Sequence, residues 1–246
     1  ETRFVESLSS LTRLKESKAE SDSIVEIVGE KNADVYTGFS ANREELLNIS
    51  TSGYKIIHFA THGYLEDEHP ELSGIVLSRF GPNREKLEEF FRLQDIYGMK
   101  LRADLVVLSA CETGIGKEVK GEGLKSLNNA FLQVGAKTVV SSLWQVEDSA
   151  TGEFMKIFYE TMLNGEMTAS KALQITKQKM RENRRFGAPY YWAGFTIQGD
   201  FNRKPEFAKL SGENIYYAAL ALLVFSAIIG SFYLIRKKFG QATRRV

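Results

Sequence analysis

From Lys18 onward, apolar positions fall alternately into short solid runs and stripes at helical spacing. The stretch KAESDSIVEIVGE (18–30) patterns as a helix, ADVYTG (33–38) as a short strand, and NREELLNI (42–49) as a helix behind an Asn42 cap. YKIIHFA (54–60) is a β-branched and aromatic run too short for a stable helix, which predicts a strand. GIVLSRF (74–80) predicts another, and ADLVVLSA (103–110) is the most apolar strand of all. In GEGLKSLNNAFLQVG (121–135) the residues Leu124, Leu127, Phe131 and Val134 share one helical face, and Gly135 ends it. AKTVVSSLW (136–144) is a strand. Helices follow over 148–165 and 168–183, with Asp148 and Thr168 as caps, and PYYWAGFTIQG (189–199) closes the series as a strand.

Strands alternating with helices imply an α/β fold with a mostly parallel sheet covered on both faces. Past a short polar linker (201–214) the pattern changes. Residues 215–235 form a 21-residue run without charge. As a helix it is roughly 30 Å long, the thickness of a bilayer's hydrocarbon core. Tyr216, Tyr217 and Tyr233 lie near its ends, where interfacial rings belong. The expectation is a C-terminal transmembrane helix that anchors the chain in a lipid bilayer, against the alternative of a buried core helix. The basic tail (236–246) carries Arg236, Lys237, Lys238, Arg244 and Arg245. Positive flanks stay cytoplasmic, which puts the domain at 1–200 outside the cytoplasm if an export signal lies upstream. A tail-anchored arrangement with the domain in the cytoplasm stays open. The chain begins at Glu1 with neither methionine nor apolar leader, and it reads as a piece of a longer protein.

Composition narrows the function. A chain 43% hydrophobic and 26% charged is globular, and 32 basic against 31 acidic residues leave no global field for nucleic acid. The single cysteine, Cys111, excludes an internal disulfide and a multi-thiolate zinc site. With no Walker motif, no glycine fingerprint after a strand and no metal-ligand spacing, no cofactor and no metal are expected.

In open parallel sheets, sites form beyond the carboxyl ends of the strands. His62 follows YKIIHFA, with Gly63 behind it; Cys111 follows ADLVVLSA, with Gly114 and Gly116 in the loop beyond. If the two strands are neighbours, an imidazole and a thiol share one crevice. His62 would then accept the thiol proton and the thiolate would attack a carbonyl carbon. The backbone N–H groups of Gly63 and Cys111 are the candidate oxyanion donors. The competing reading is packing, since free cysteine is among the most buried residue types.

Four segments in order, HFATHG, LSACETG, SSLWQVEDSAT and PYYWAGFTIQGD, resemble the CHAT family over about Lys18 to Asp200. Members are caspase-like cysteine peptidases, of the broad clan of separase and gingipains, and are often fused to tetratricopeptide repeats. The resemblance implies a three-layer caspase-like fold, His62 as catalytic histidine and Cys111 as nucleophile. It also implies a protein or peptide substrate, an endopeptidase role in a regulatory process, and an upstream repeat region in the full-length chain.

Other residues carry two readings each. His58 lies mid-strand, where a packed or hydrogen-bonded histidine is the default, and His69 lies in a polar loop as solvated surface. Glu112 orients the active-site loop or accepts a loop hydrogen bond. Asp148 caps its helix; alternatively, Asp148 or Glu147 lines a pocket for a basic substrate side chain, as the resemblance to basic-specific relatives implies. Trp144 and Trp192 are core or pocket-wall aromatics, and the charged segment 117–125 is solvated surface or a mobile gate. Against the peptidase stand a non-catalytic scaffold that binds protein partners and another thiol enzyme such as an acyltransferase.

Overall fold

The computed structural model describes residues 14, 16–50, 52–65, 69–83, 85–109, 111–113, 122–202, 204 and 220–224. Its centre is a six-stranded sheet of β1 (Ala33–Thr37), β2 (Ile56–Ala60), β6 (Leu105–Leu108), β8 (Thr138–Ser142), β9 (Phe195–Gly199) and β10 (Leu220–Val224). The spatial order is β1-β10-β2-β6-β8-β9, parallel except for β9, which runs antiparallel to β8. The mostly parallel α/β sheet expected from the pattern is present.

Side chains alternate across this sheet with period two, and both faces are covered. On one face Ile57, Phe59, Val106, Leu108 and Val139 pack against α2 (Arg43–Ile49), α3 (Leu93–Tyr97) and α4 (Glu122–Gln133) through Leu46, Ile96 and Phe131. On the other, Ile56, Leu105, Val107 and Val140 pack against α1 (Ser17–Val28), α5 (Asp148–Asn164) and α6 (Ala169–Glu182) through Ile24, Phe154, Phe158 and Leu173. That gives three layers, with β2, β6 and β8 fully buried between them.

Local chemistry sets the helix ends. Asn42 Oδ1 accepts the Glu45 backbone N–H at 3.1 Å, and Thr168 Oγ1 accepts that of Lys171 at 3.2 Å, so both expected caps are in place. Asp148 is not a cap: Glu147 precedes the helix and Asp148 is its first residue. There its negative charge still favours the helix N-terminus. Gly135, at φ 115°, takes the left-handed region just past α4, and a side chain there would collide with the Leu101 carbonyl.

A second, four-stranded sheet, β5-β4-β3-β7, stands at the carboxyl end of the first. It comprises β3 (Gly63–Leu65), β4 (Gly74–Val76), β5 (Phe90–Arg92) and β7 (Cys111–Thr113), with β3 and β7 parallel. The expected strand over 74–80 thus shrinks to Gly74–Val76, and it belongs to this antiparallel extension instead of the main sheet.

The transmembrane expectation for 215–235 is overturned. Among the described residues no helix is long and apolar enough to cross a membrane. Residues Leu220–Val224, inside the expected span, are instead β10, inserted between β1 and β2 with Leu222 in register with Val35 and His58. The physical reason is an ambiguity of apolar runs. A strand at the centre of a parallel sheet needs unbroken apolar sequence just as a membrane helix does, and periodicity cannot separate them. With the helix goes the single-pass bilayer anchor derived from it. The rest of that run, together with the basic tail, lies outside the described residues.

Candidate functional site

Strands β2 and β6 are direct parallel neighbours, with Ile56 opposite Leu105 and Phe59 opposite Leu108. Each leaves the main sheet at the same edge and re-enters the small one a few residues later. β2 continues through Thr61 and His62 into β3; β6 continues through Ser109 into β7. The two extensions pair in parallel, with Gly63 in register with Cys111, Tyr64 with Glu112 and Leu65 with Thr113. The two backbone positions expected to supply oxyanion donors are therefore register partners.

His62 is held tightly. It is 7% exposed, and its carbonyl accepts the Val76 N–H at 2.9 Å, which ties it to β4. It lines a cavity of about 10 Å³ with Phe59, Gly63, Leu108 and Leu127. Thr61 Oγ1 donates to the Val76 carbonyl at 2.8 Å, and Ser109 Oγ to that of Phe59 at 3.2 Å, so both strand exits are pinned by side chains. The side chains of Cys111 and Glu112, and the loop with Gly114, Gly116 and most of 117–125, lie outside the described residues.

Glu147 and Asp148 come from the exit of the next strand, β8, at the same sheet edge. They line an open cleft of about 610 Å³ with Glu16, Gln145, Arg185 and Tyr190 among others. Glu147 Oε1 accepts from Ser149 Oγ at 2.5 Å and lies 3.7 Å from Arg185 Nη2, whose guanidinium sits 4.7 Å above the Phe186 ring. Trp144 Nε1 donates to the Tyr190 carbonyl at 2.9 Å, and the Tyr190 hydroxyl donates to that of Gln145 at 2.9 Å. Trp144 thus braces the aromatic side of this cleft, packed so closely on Gly194 that a Cβ there would lie 2.7 Å from its ring. Val146 and Asp148 also border a second cavity of about 20 Å³, whose other walls include Glu20, Thr151 and Ala60. Ala60 is the last residue of β2, two positions before His62, so the acidic cleft extends toward the histidine's strand.

The other two histidines behave as their positions suggest. His58 is fully buried on the opposite sheet face, with Nε2 2.7 Å from Glu20 Oε1 and Nδ1 3.0 Å from the Tyr159 hydroxyl. Burial, helped by the charge of Glu20, pushes the Tyr159 hydroxyl well above its ordinary pKa and keeps it protonated. His69 is exposed and lies 3.3 Å from Glu71. Trp192 packs at the margin of the core under α5 and α6. Glu20, Tyr159, Arg185 and Tyr190 were not singled out from sequence. Glu20 had a readable signal, being an acid at the position four before Ile24 on the buried face of a helix. Arg185 and Tyr190 sit on loops whose course no periodicity encodes.

The backbone register thus brings the strand exits that carry His62 and Cys111 side by side, and carboxylates line a cleft at the same sheet edge. Comparison with known proteins bears on this. A family model described as "CHAT domain" matches residues 3–200. Tetratricopeptide repeat protein 28 of Mus musculus is 37% identical over 105 residues, 43% of this chain and 4% of that protein. Its Homo sapiens counterpart is 36% identical over 105 residues, with the same shares. The matched part of the chain spans only a small fraction of these relatives.

Proposed function

The chain belongs to the CHAT domain family, and from that membership we propose that it is a caspase-like cysteine endopeptidase with His62 as base and Cys111 as nucleophile. The observation that carries the reading is the parallel register of Gly63 with Cys111, which brings the two strand exits side by side. His62 takes the thiol proton as sulfur attacks the scissile carbonyl carbon, and the oxyanion forms against the N–H groups of Gly63 and Cys111. Collapse breaks the C–N bond, and His62 returns its proton to the leaving amine. A water then attacks the thioester with His62 again as base, releasing the carboxylate and restoring the thiol. Glu112, next to the nucleophile, orients its loop.

The cleft with Glu147 and Asp148 takes the side chain preceding the cut. Its carboxylates favour Arg or Lys, although the chain's own Arg185 already lies beside Glu147. A protein or peptide is the substrate. The name of the relatives supports a tetratricopeptide-repeat region elsewhere in the full-length chain, suited to presenting that substrate.

The test is cleavage of a peptide library varied at the residue before the cut. Cys111→Ala, Cys111→Ser, His62→Ala and the double variant should all abolish turnover to a similar degree, because residues acting as a unit are non-additive. Cleavage that survives Cys111→Ala in a preparation free of other proteases sinks the mechanism. A family member serving only as a scaffold would leave every peptide intact while binding partners equally well with or without Cys111.

A further inference from the structure

The two parallel pairings that bring the His62 and Cys111 segments together are out of step by one residue. Phe59 pairs with Leu108 at the end of the main sheet, and Gly63 with Cys111 at the start of the small one. Between these pairs stand Ala60, Thr61 and His62 on one segment, but only Ser109 and Ala110 on the other. Three residues against two is a β-bulge, which interrupts the alternation of side chains and re-aims the residues within it.

The two histidines record the effect. On β2, His58 meets Glu20 and Tyr159, Phe59 meets Phe131 on the opposite side, and Ala60 returns to the side of Glu20. Strict alternation would send Thr61 to the side of Phe59 and His62 back to that of His58. Instead Thr61 and His62 both line the cavity shared with Phe59, Ile75, Leu108 and Leu127, which belong to one core face. Two hydroxyls fix this departure. Thr61 Oγ1 donates to the Val76 carbonyl at 2.8 Å, while the Val76 N–H donates to the His62 carbonyl at 2.9 Å, so one residue of β4 grips both. Across the bulge the Phe59 carbonyl accepts twice from Ser109, from its N–H at 3.0 Å and its Oγ at 3.2 Å. Thr61 and Ser109 are 4% and 3% exposed, so water is poorly placed to replace either hydroxyl.

We infer that Thr61 and Ser109 are positioning residues, whose hydroxyls lock a one-residue bulge that turns His62 off the face of His58 and onto the face of Leu127. Leu127 belongs to α4, the element next in the chain after β7 and Cys111. Neither hydroxyl meets the substrate; each acts through the place it gives the imidazole. The kinetic consequence rests on the peptidase reading, whereas the turning of His62 does not.

The test uses Thr61→Val, which keeps the shape and removes the hydroxyl, and Thr61→Ser, which keeps the hydroxyl, both in the full chain. Cross-relaxation from the His62 ring protons should reach the methyl groups of Leu127 and Ile75 in the wild type and weaken in Thr61→Val. Contacts of the His58 ring with Tyr159 should persist in both variants. On the best-cleaved peptide, Thr61→Val should lose about 100-fold in kcat with little change in KM, and Thr61→Ser should recover most of that loss. Should Thr61→Val fail to fold, Ser109→Ala is read in its place, with the same weakening of the Leu127 contact expected. A wild-type His62 ring that does not contact Leu127, contacts unchanged in the variant, a change in KM alone, or no recovery in Thr61→Ser each overturns the inference. Absence of Cys111-dependent cleavage in the wild type refutes the peptidase, and the ring contacts then decide the clamp alone.

Discussion

His58 and His62 stand four residues apart in one segment, and their surroundings differ. His58 is enclosed by Glu20 and Tyr159, with no exposed surface. His58→Ala would leave a carboxylate and a hydroxyl buried without their partner, a loss of about 3–5 kcal/mol. Urea unfolding should show this as a clear drop in midpoint. His62→Ala should cost much less stability, yet remove turnover in the same preparation. The opposite pattern would reverse the two assignments. The sequence distinguishes these histidines because one sits inside a strand run and the other just past its end, where sites in parallel sheets form. It does not reveal Glu20 as the partner of His58, since that contact closes across 38 residues.

At the level of elements, the short helix α3 depends on one carboxylate. Asp95 accepts the Arg92 backbone N–H at 2.8 Å and an Arg43 Nη2 bond at 2.6 Å. The Arg43 hydrogen bond holds the Asp95 carboxyl below its usual pKa, outweighing desolvation, and the Arg92 N–H adds to the effect. A carboxylate depressed in the folded state contributes stability that is complete above its unfolded value of about 4 and is lost as pH falls through the lower folded value. Asp95→Asn should therefore lower stability by about 1 kcal/mol at neutral pH, and the difference from wild type should vanish in strong acid. Chemical unfolding of both proteins across the acid range measures it; a gap independent of pH would contradict the role. Of α3 and the small sheet, only the strand at Gly74–Val76 was legible in the sequence, as part of the longer run 74–80. Strands of three residues are shorter than any periodicity can resolve, and FFRLQDIYG mixes both patterns. The long apolar strands and the capped helices were legible because burial on both faces and side-chain caps leave local marks.

For the molecule as a whole, the decisive surprise is β10. An uncharged run read as a membrane helix supplies the strand that joins β1 to β2. No local feature separates the two roles, because only the rest of the sheet reveals that a place is open for a strand. Truncation after Asp200 should detach β1, lower thermal stability and speed amide exchange across Ala33–Thr37. Leu222→Pro should act in the same direction by about 3 kcal/mol, since proline cannot donate to a central ladder. A truncated domain with unchanged stability and exchange would show that β1 does not need this partner. The claim on which the functional account turns is that His62 and Cys111 form one reactive unit. It is tested most directly by labelling the intact chain with an electrophilic peptide probe carrying arginine at the reacting position, then locating and timing the adduct by mass spectrometry. The account predicts a single adduct on Cys111, formed about 100-fold faster than in His62→Ala. Equal labelling rates with and without His62, or no adduct on Cys111, would contradict it.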